Sequence, residues 1–227
     1  MSFDKNNILK NIINDGYGWA EKNVQERDDF YKKYGNIFQL ENIDSLTPEI
    51  YREFWKDGIF HWGDGIPQST GNLIKEFPWE TIQKNLKILV DESKSLSERI
   101  KNLRNSQSGG KYIKHSTYTI ILHMVDPQKH PTINKPTLLA LDELKISSKK
   151  ERNTDDEWEY IPKLENTILK LCNEINVDTW KIDWVWARFM EQQSTTWWII
   201  SAGEDPVREK VWNEFRNSNT VGFYWNE

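Results

Sequence analysis

The segment 109–144 constrains the fold of this chain more than any other, because two strongly apolar runs alternate in it with turn residues. Ser116 or Thr117 is placed to cap a helix, which ends at Asp126 since the proline that follows cannot continue it. A second helix begins at Pro136, a residue suited to the first helical position, and carries leucines along one side. Helices this apolar must be buried, which predicts a body of several packed helices.

Helical periodicity continues over most of the chain up to residue 192. Thr47 and the proline after it form a strong helix start, and Ser95 or Ser97 is expected to cap a further helix. That helix should turn its basic side chains outward, Arg99 among them. The residues expected to face the core are Ile50, Tyr51, Phe54, Trp55, Ile82, Leu86, Leu89, Val90, Ile100, Leu103, Leu138, Leu139, Leu141, Leu144, Leu164, Ile168, Leu171, Cys172 and Ile175.

The pattern changes after a predicted hinge at 192–194. Consecutive apolar residues at 197–200 predict a short strand, a helix follows, and 221–225 predicts a second strand. The predicted fold class is therefore mainly α, with a multi-helix domain over 1–192 and a small β-α-β unit over 193–227.

The composition indicates a soluble protein of a reducing compartment. A single cysteine, Cys172, excludes an internal disulfide framework. The first residues do not resemble a signal peptide, and no apolar run approaches the roughly 20 residues that span a membrane. We therefore expect a cytoplasmic protein without a membrane partner.

Charge is distributed unevenly along the chain, whose net charge is -5. Residues 94–152 contain 12 Lys and Arg against 5 Asp and Glu, whereas both flanking segments are acidic. A basic middle in an acidic chain is typical of a confined face that contacts phosphate. It is equally typical of a solvated lysine-rich linker, such as 147–152, and both interpretations remain open.

A glycine turn before the first apolar helix lies in this basic middle. Backbone N–H groups and lysines gathered at a helix start form an anion site, because the helix dipole also favours negative charge there. The alternative is a plain tight connection between two helices. The region 105–120 resembles a helix-hairpin-helix, although adjacent glycines replace its usual Gly-x-Gly. The candidate nucleic-acid-binding residues are Gly109, Gly110, Lys111, Lys114, His115 and Ser116.

The sequence contains no recognisable catalytic motif. It lacks the phosphate-binding loop of nucleotide hydrolases, the zinc-protease motif, a cysteine pair and the serine nucleophile elbow. The carboxylates at 155–157 are adjacent and point in different directions, so they do not form a metal cluster. We therefore expect no enzyme activity, no metal site and no cofactor in this chain.

Two segments resemble a known family. Segment 109–144, GGKYIKHSTYTIILHMVDPQKHPTINKPTLLALDEL, resembles the helical N-terminal region of McrB-like proteins, the DNA-recognising GTPase subunits of modification-dependent restriction systems. Segment 195–227, TTWWIISAGEDPVREKVWNEFRNSNTVGFYWNE, is similar to the opening of the EVE-type domain that follows in some of these proteins. Together the two segments cover about a third of the chain.

The resemblance implies a non-catalytic nucleic-acid recognition module of a restriction or anti-phage defence system, with modified DNA favoured over RNA. The GTPase would lie outside this chain, and the other partner would be a second copy or a defence-system subunit. Lys111 and Lys114 would contact phosphate. In the incomplete EVE-like segment, the base-pocket positions would be Trp197 or Trp198, Ser201 and Trp225.

Two alternative functions remain open from the sequence. The first is a helical protein–protein interaction module, whose partner face would be the exposed tryptophan-rich segment 180–198. The second is a DNA glycosylase of the helix-hairpin-helix type. In that family the position of the catalytic acid matches Asn134, whose amide cannot act as a general base, and Asp126 is nearby but adjoins a helix end.

Overall fold

The computed structural model describes residues 5–14, 24–58, 75–106, 113–147 and 156–201. Helices make up 76% of these residues and no strand occurs among them, which confirms the mainly α prediction for this part of the chain. Within the same ranges, no helix combines the length and apolar character needed to cross a membrane. The helices are α1 Lys5–Asn14, α2 Val24–Tyr34, the 3-10 helix Leu40–Ser45, α3 Pro48–Asp57, α4 Trp79–Val90, α5 Leu96–Asn105, α6 His115–Val125, α7 Lys135–Glu143, α8 Glu157–Ile175 and α9 Thr179–Ser201.

Contacts within the chain define two units, 1–189 and 190–227. In the second unit the backbone is helical as far as Ser201, in place of the hinge at 192–194 and the strand at 197–200 that the sequence predicts. A short apolar run suits either a strand or a helix, so its composition alone does not separate the two. The rest of the predicted β-α-β unit lies outside the described residues.

Local capping explains where several helices begin. The Thr47 side chain accepts a hydrogen bond of 3.3 Å from the backbone N–H of Ile50. Ser95 forms a reciprocal capping box with Glu98. Both starts are predicted by the sequence and are confirmed. Asn134 forms a second capping box at the start of α7, which satisfies backbone donors that the helix itself leaves unpaired.

The start of α6 differs from the prediction. The helix begins at His115, and its N-cap is Lys114, whose side chain forms no capping hydrogen bond. Neither Ser116 nor Thr117 is the cap, because the Lys114 carbonyl already accepts the Thr117 N–H at 2.9 Å and encloses both residues in the first turn. The predicted end of the helix at Asp126 is confirmed.

The core of the first unit is built on α5 and α8, which pack together, with α4 against α5 and α6. Most of the predicted core residues are buried, but Ile50 and Leu139 are 38% and 41% exposed, so their placement in the core was wrong. In α7 the buried stripe follows helical spacing and leaves Leu139 on the outer side. The residues of that stripe are Thr137, Ala140, Leu141 and Leu144.

Arg99 on α5 is also placed differently from the prediction, since it is only 4% exposed. Its guanidinium donates a hydrogen bond of 3.0 Å to the carbonyl of Leu89 in the last turn of α4. Carbonyls in the last turn of a helix have no partner within the helix. The buried arginine therefore caps a neighbouring helix instead of facing water.

Candidate nucleic-acid interface

The predicted nucleic-acid-binding residues that the structure describes lie at the start of α6. Lys114 is exposed, whereas His115 and Ser116 are half-buried. The dipole of α6 gives this end a partial positive charge, and the Lys114 side chain does not cap it. The other predicted residues, which lie outside the described part of the chain, are Gly109, Gly110 and Lys111.

A carboxylate from α8 lies beside this helix start. Arg104 on α5 contacts Oε2 of Glu157, the first residue of α8, through both Nε and Nη2. The other carboxylate oxygen, Oε1, lies 3.8 Å from Nδ1 of His115. The Arg104 and Glu157 side chains are 17% and 18% exposed, so water and salt screen their attraction only in part. Three helices thus meet around one anionic group.

Tyr118, in the first turns of α6, adds a buried hydroxyl to the same place. Its side chain is fully buried, and Cζ of Arg104 lies 5.7 Å from its ring centroid. Burial raises the pKa of Tyr118 well above its usual value, and the negative charge of Glu157 raises it further. The hydroxyl therefore keeps its proton, and its hydrogen bond with the Glu157 side chain contributes to the raised pKa.

Lys101 extends this group of charges along α5. It is exposed, lies one turn before Arg104, and places its ammonium 5.8 Å from the ring centroid of Trp158. Arg104 and His115 thus lie against the carboxylate of Glu157, while Lys101 precedes Arg104 on α5 and Lys114 precedes His115 at the start of α6. We name this group the α6-start cluster, with the members Lys101, Arg104, Lys114, His115 and Glu157.

In the folded chain, the surface around segment 94–152 carries less net positive charge than the residue count of that segment indicates. Acidic residues from the flanking segments lie against its cations, with Asp91 3.1 Å from Lys94 and Glu92 3.3 Å from Lys129. The charge of a surface is set by all segments that meet there, so the count over 94–152 overstates it. The lysines of this segment that form no ion pair within the described residues are Lys101, Lys114, Lys135 and Lys145.

A second charged cluster, which sequence reasoning missed, surrounds His130. Its Nδ1 lies 2.6 Å from Oε1 of Glu165 on α8, and its Nε2 lies 3.3 Å from Oε1 of Glu92. The His130 carbonyl accepts a hydrogen bond of 2.7 Å from the Nδ1–H of His123, whose pKa burial lowers to about 4. These contacts hold the segment that connects α6 and α7 against α8.

The His130 cluster does not form a metal centre. Its two carboxylates, Glu92 and Glu165, contact opposite edges of the imidazole ring and so do not converge on one point. More generally, the described His, Cys, Asp and Glu side chains include no group of three or more that could hold a metal ion.

Asn134 and Asp126, the two positions considered for the catalytic acid of a glycosylase, both form contacts within the protein. Asn134 accepts the backbone N–H of Thr137 at 3.0 Å and donates to Oδ1 of Asp183 at 2.9 Å. Asp126 accepts the backbone N–H two residues later at 3.0 Å and pairs with Lys129 at 2.9 Å. Both side chains thus shape the connection between α6 and α7.

The tryptophan-rich segment is part of the core where its side chains are described. Trp180, Trp184 and Trp186 are 6%, 7% and 0% exposed. The Trp180 ring packs against Tyr31 and His123, with centroid distances of 5.1 and 5.4 Å. The prediction that these three tryptophans form an exposed partner face is therefore wrong.

The predicted base pocket lies largely outside the described residues. The backbone at Trp198 and Ser201 belongs to α9, but their side chains are not described. The whole of Trp225 also lies outside the described part. The pocket stays a prediction from the family resemblance.

No protein-family model matches the chain, and neither a curated protein nor a solved structure matches it. The resemblance to McrB-like and EVE-type proteins therefore rests on the quoted residues alone. Over the described residues, the chain is mainly helical, and Arg104, His115 and Glu157 meet at the start of α6.

Proposed function

We propose that this chain is a non-catalytic module that recognises nucleic acid and binds its phosphates at the α6-start cluster. The observation that carries the proposal is the exposure of Lys114 at the N-terminus of α6, which has no side-chain cap, together with the exposure of Lys101 on α5, whose ammonium lies 5.8 Å from the ring centroid of Trp158. Helix N-termini and lysine ammonium groups both favour phosphate oxygens. Contacts of this kind fix the position of a nucleic acid without reading its sequence.

The target and the biological setting are proposed from the family resemblance. Segments 109–144 and 195–227 favour modified DNA as the target and a restriction or anti-phage defence system as the setting. The helical domain would hold the sugar-phosphate backbone. The modified base would be held by the EVE-like segment, with Trp198, Ser201 and Trp225 in its pocket.

The salt dependence of duplex binding tests the proposal. Each phosphate contact with duplex DNA steepens the plot of log affinity against log salt concentration by about 0.9. The double variant Lys101→Ala, Lys114→Ala should therefore flatten this slope by nearly two units and weaken binding to all sequences alike. Fluorescence anisotropy of a labelled duplex over a salt series measures the slope.

A matched control removes the same charge elsewhere. Lys32 on α2 and Lys170 on α8 are also exposed, and neither belongs to the α6-start cluster. Lys170 lies thirteen residues beyond Glu157 on α8, or about 20 Å along the helix. The double variant Lys32→Ala, Lys170→Ala should keep the original slope. Equal slopes for the two double variants would show that the α6-start cluster is not part of the nucleic-acid interface.

A further inference from the structure

We infer that the His130 cluster is a pH-sensitive switch. In its protonated form His130 joins Glu165 on α8 to Glu92 in the turn between α4 and α5, and loss of that proton releases Glu92. His130 belongs to the α6–α7 connection, by which we mean residues 126–134. The inference goes beyond the proposed function, because none of these residues belongs to the α6-start cluster.

The number of N–H groups on the His130 ring decides how many carboxylates it can bind. Its Nδ1 lies 2.6 Å from Oε1 of Glu165 and its Nε2 lies 3.3 Å from Oε1 of Glu92. Ionised carboxylates only accept, a neutral imidazole carries one N–H, and an imidazolium carries two. Both contacts are therefore hydrogen bonds only when His130 is protonated.

Nearby cations keep the two carboxylates available as acceptors. Although burial acts in the opposite direction, hydrogen bonds from His130 and Lys129 lower the pKa of Glu92. Arg99 on α5, which is buried, attracts both Glu92 and Glu165. Histidine is the side chain that ordinarily changes charge between about pH 5 and 8, so the change in this range falls on the imidazole.

The other titratable groups around the ring keep their charge over the same range. Burial lowers the pKa of His123 on α6 to about 4, so this second histidine stays neutral. In the connection itself, the hydrogen bonds with Asp126 and Glu92 raise the pKa of Lys129. For Asp126, burial is outweighed by hydrogen bonds from Lys129 and the backbone, which lower the pKa.

Glu92 is the partner that a neutral His130 would release. The Nδ1 contact with Glu165 is the shorter one, and the Glu165 side chain is only 14% exposed, whereas that of Glu92 is 39% exposed. Water can hydrate the more exposed carboxylate, but it cannot easily replace a partner of the buried one. The single remaining N–H therefore stays with Glu165, and Glu92 keeps its contact with Lys129.

Hydrogen exchange of the connection measures the state of the switch. The backbone N–H groups of Lys129 and His130 donate to the Asp126 carbonyl at 3.1 and 3.0 Å. Their protection, relative to the intrinsic exchange rate at each pH, should fall about tenfold from about pH 5.5 to about pH 8.5, because a hydrogen bond between charged groups is lost. Every full-length chain in this comparison carries Asp183→Asn, since Asp183 contacts the connection through Asn134 and has a pKa of about 6.

Three variants separate the switch from a plain structural contact. His130→Asn can still donate to Glu165 but carries no charge, so its protection should be low at both pH values. In Glu92→Gln the amide can accept from a protonated ring or donate to a neutral one, so the fall should shrink to less than about twofold. Glu143→Gln is the control, because it removes an exposed acid of α7 and should keep the tenfold fall.

Two results would overturn the inference. The first is equal protection at both pH values in the chain that carries Asp183→Asn alone. The second is a fall in Glu92→Gln as large as that in Glu143→Gln, a comparison that stands even if His130→Asn does not fold. A fall confined to the chains that retain both His130 and Glu92 supports the switch.

Discussion

Arg99 shows how one buried polar side chain can secure two helices. It is 4% exposed and donates at 3.0 Å to the Leu89 carbonyl at the end of α4. Arg99→Ala would leave this buried carbonyl without the donor and open a cavity beside it. We expect the free energy of unfolding to fall by about 2 kcal/mol, as measured by urea denaturation.

Lys101→Ala is the control for this prediction. It removes the same charge from an exposed position on the same helix. The free energy of unfolding should change by no more than about 0.5 kcal/mol. A loss for Arg99→Ala as small as this would show that the contact with Leu89 contributes nothing to stability.

Asp183 should make the stability of the protein depend on pH. Burial raises its pKa from the ordinary value of 3.8 to about 6, although the hydrogen bond from Asn134 opposes the shift. Because the folded pKa is the higher one, this carboxyl contributes stability that is fully present below about pH 4. That contribution is lost as the pH rises through about 6, since the buried group must then ionise.

Asp183→Asn tests this pH dependence, because it removes the charge and keeps an oxygen that can accept from Asn134. At about pH 7 the variant should be more stable than the wild type by about 1–2 kcal/mol, a figure reduced to allow for the partial exposure of the group. At about pH 4 the difference should vanish. A difference that is the same at both pH values, measured by urea denaturation, would contradict the assignment.

At the scale of the helices, the two capping boxes should contribute different amounts to the free energy of unfolding. Ser95 is an exposed cap, and Ser95→Ala should cost about 1 kcal/mol of unfolding free energy. Asn134 is 6% exposed and also donates to Asp183, so Asn134→Ala should cost about 2 kcal/mol or more. Equal losses in denaturant titrations would show that the contact with Asp183 adds nothing to the cap.

Several helix starts and ends were predictable from the sequence through local signals. Thr47, Ser95 and the proline after Asp126 act within one turn of themselves, so their effect is visible in the neighbouring residues. The burial of α6 likewise follows from its own apolar composition. The start of α6 was predicted wrongly at Ser116 or Thr117, because both side chains are of the capping type, whereas the actual N-cap, Lys114, has no capping side chain.

Contacts between distant segments were not predictable in this way. Arg104 and Glu157 are 53 residues apart in sequence, and nothing in either neighbourhood indicates the other. His130 meets Glu165 over a separation of 35 residues. The sequence therefore located the start of α6 as a candidate site, but could not show that a carboxylate lies against it.

At the scale of the whole molecule, the buried tryptophans make the first half of α9 part of the first unit. Trp180, Trp184 and Trp186 supply large apolar surfaces that other helices need for their core. A chain ended after Phe189 should unfold cooperatively, with a thermal midpoint near that of the full chain. A chain ended after Ile175 should lose cooperative unfolding, as followed by circular dichroism. Cooperative unfolding of the shorter chain would contradict this role of α9.

The most direct test of nucleic-acid recognition at the α6-start cluster is a hydrogen-exchange footprint on the full chain. With a bound DNA duplex, we predict slower amide exchange over 113–118 and around Lys101 and Arg104. The buried segment 180–189 should exchange as it does in the free protein. A duplex that binds while exchange over 113–118 stays unchanged would contradict the proposed interface, and a chain that binds no duplex at all would contradict the proposed function.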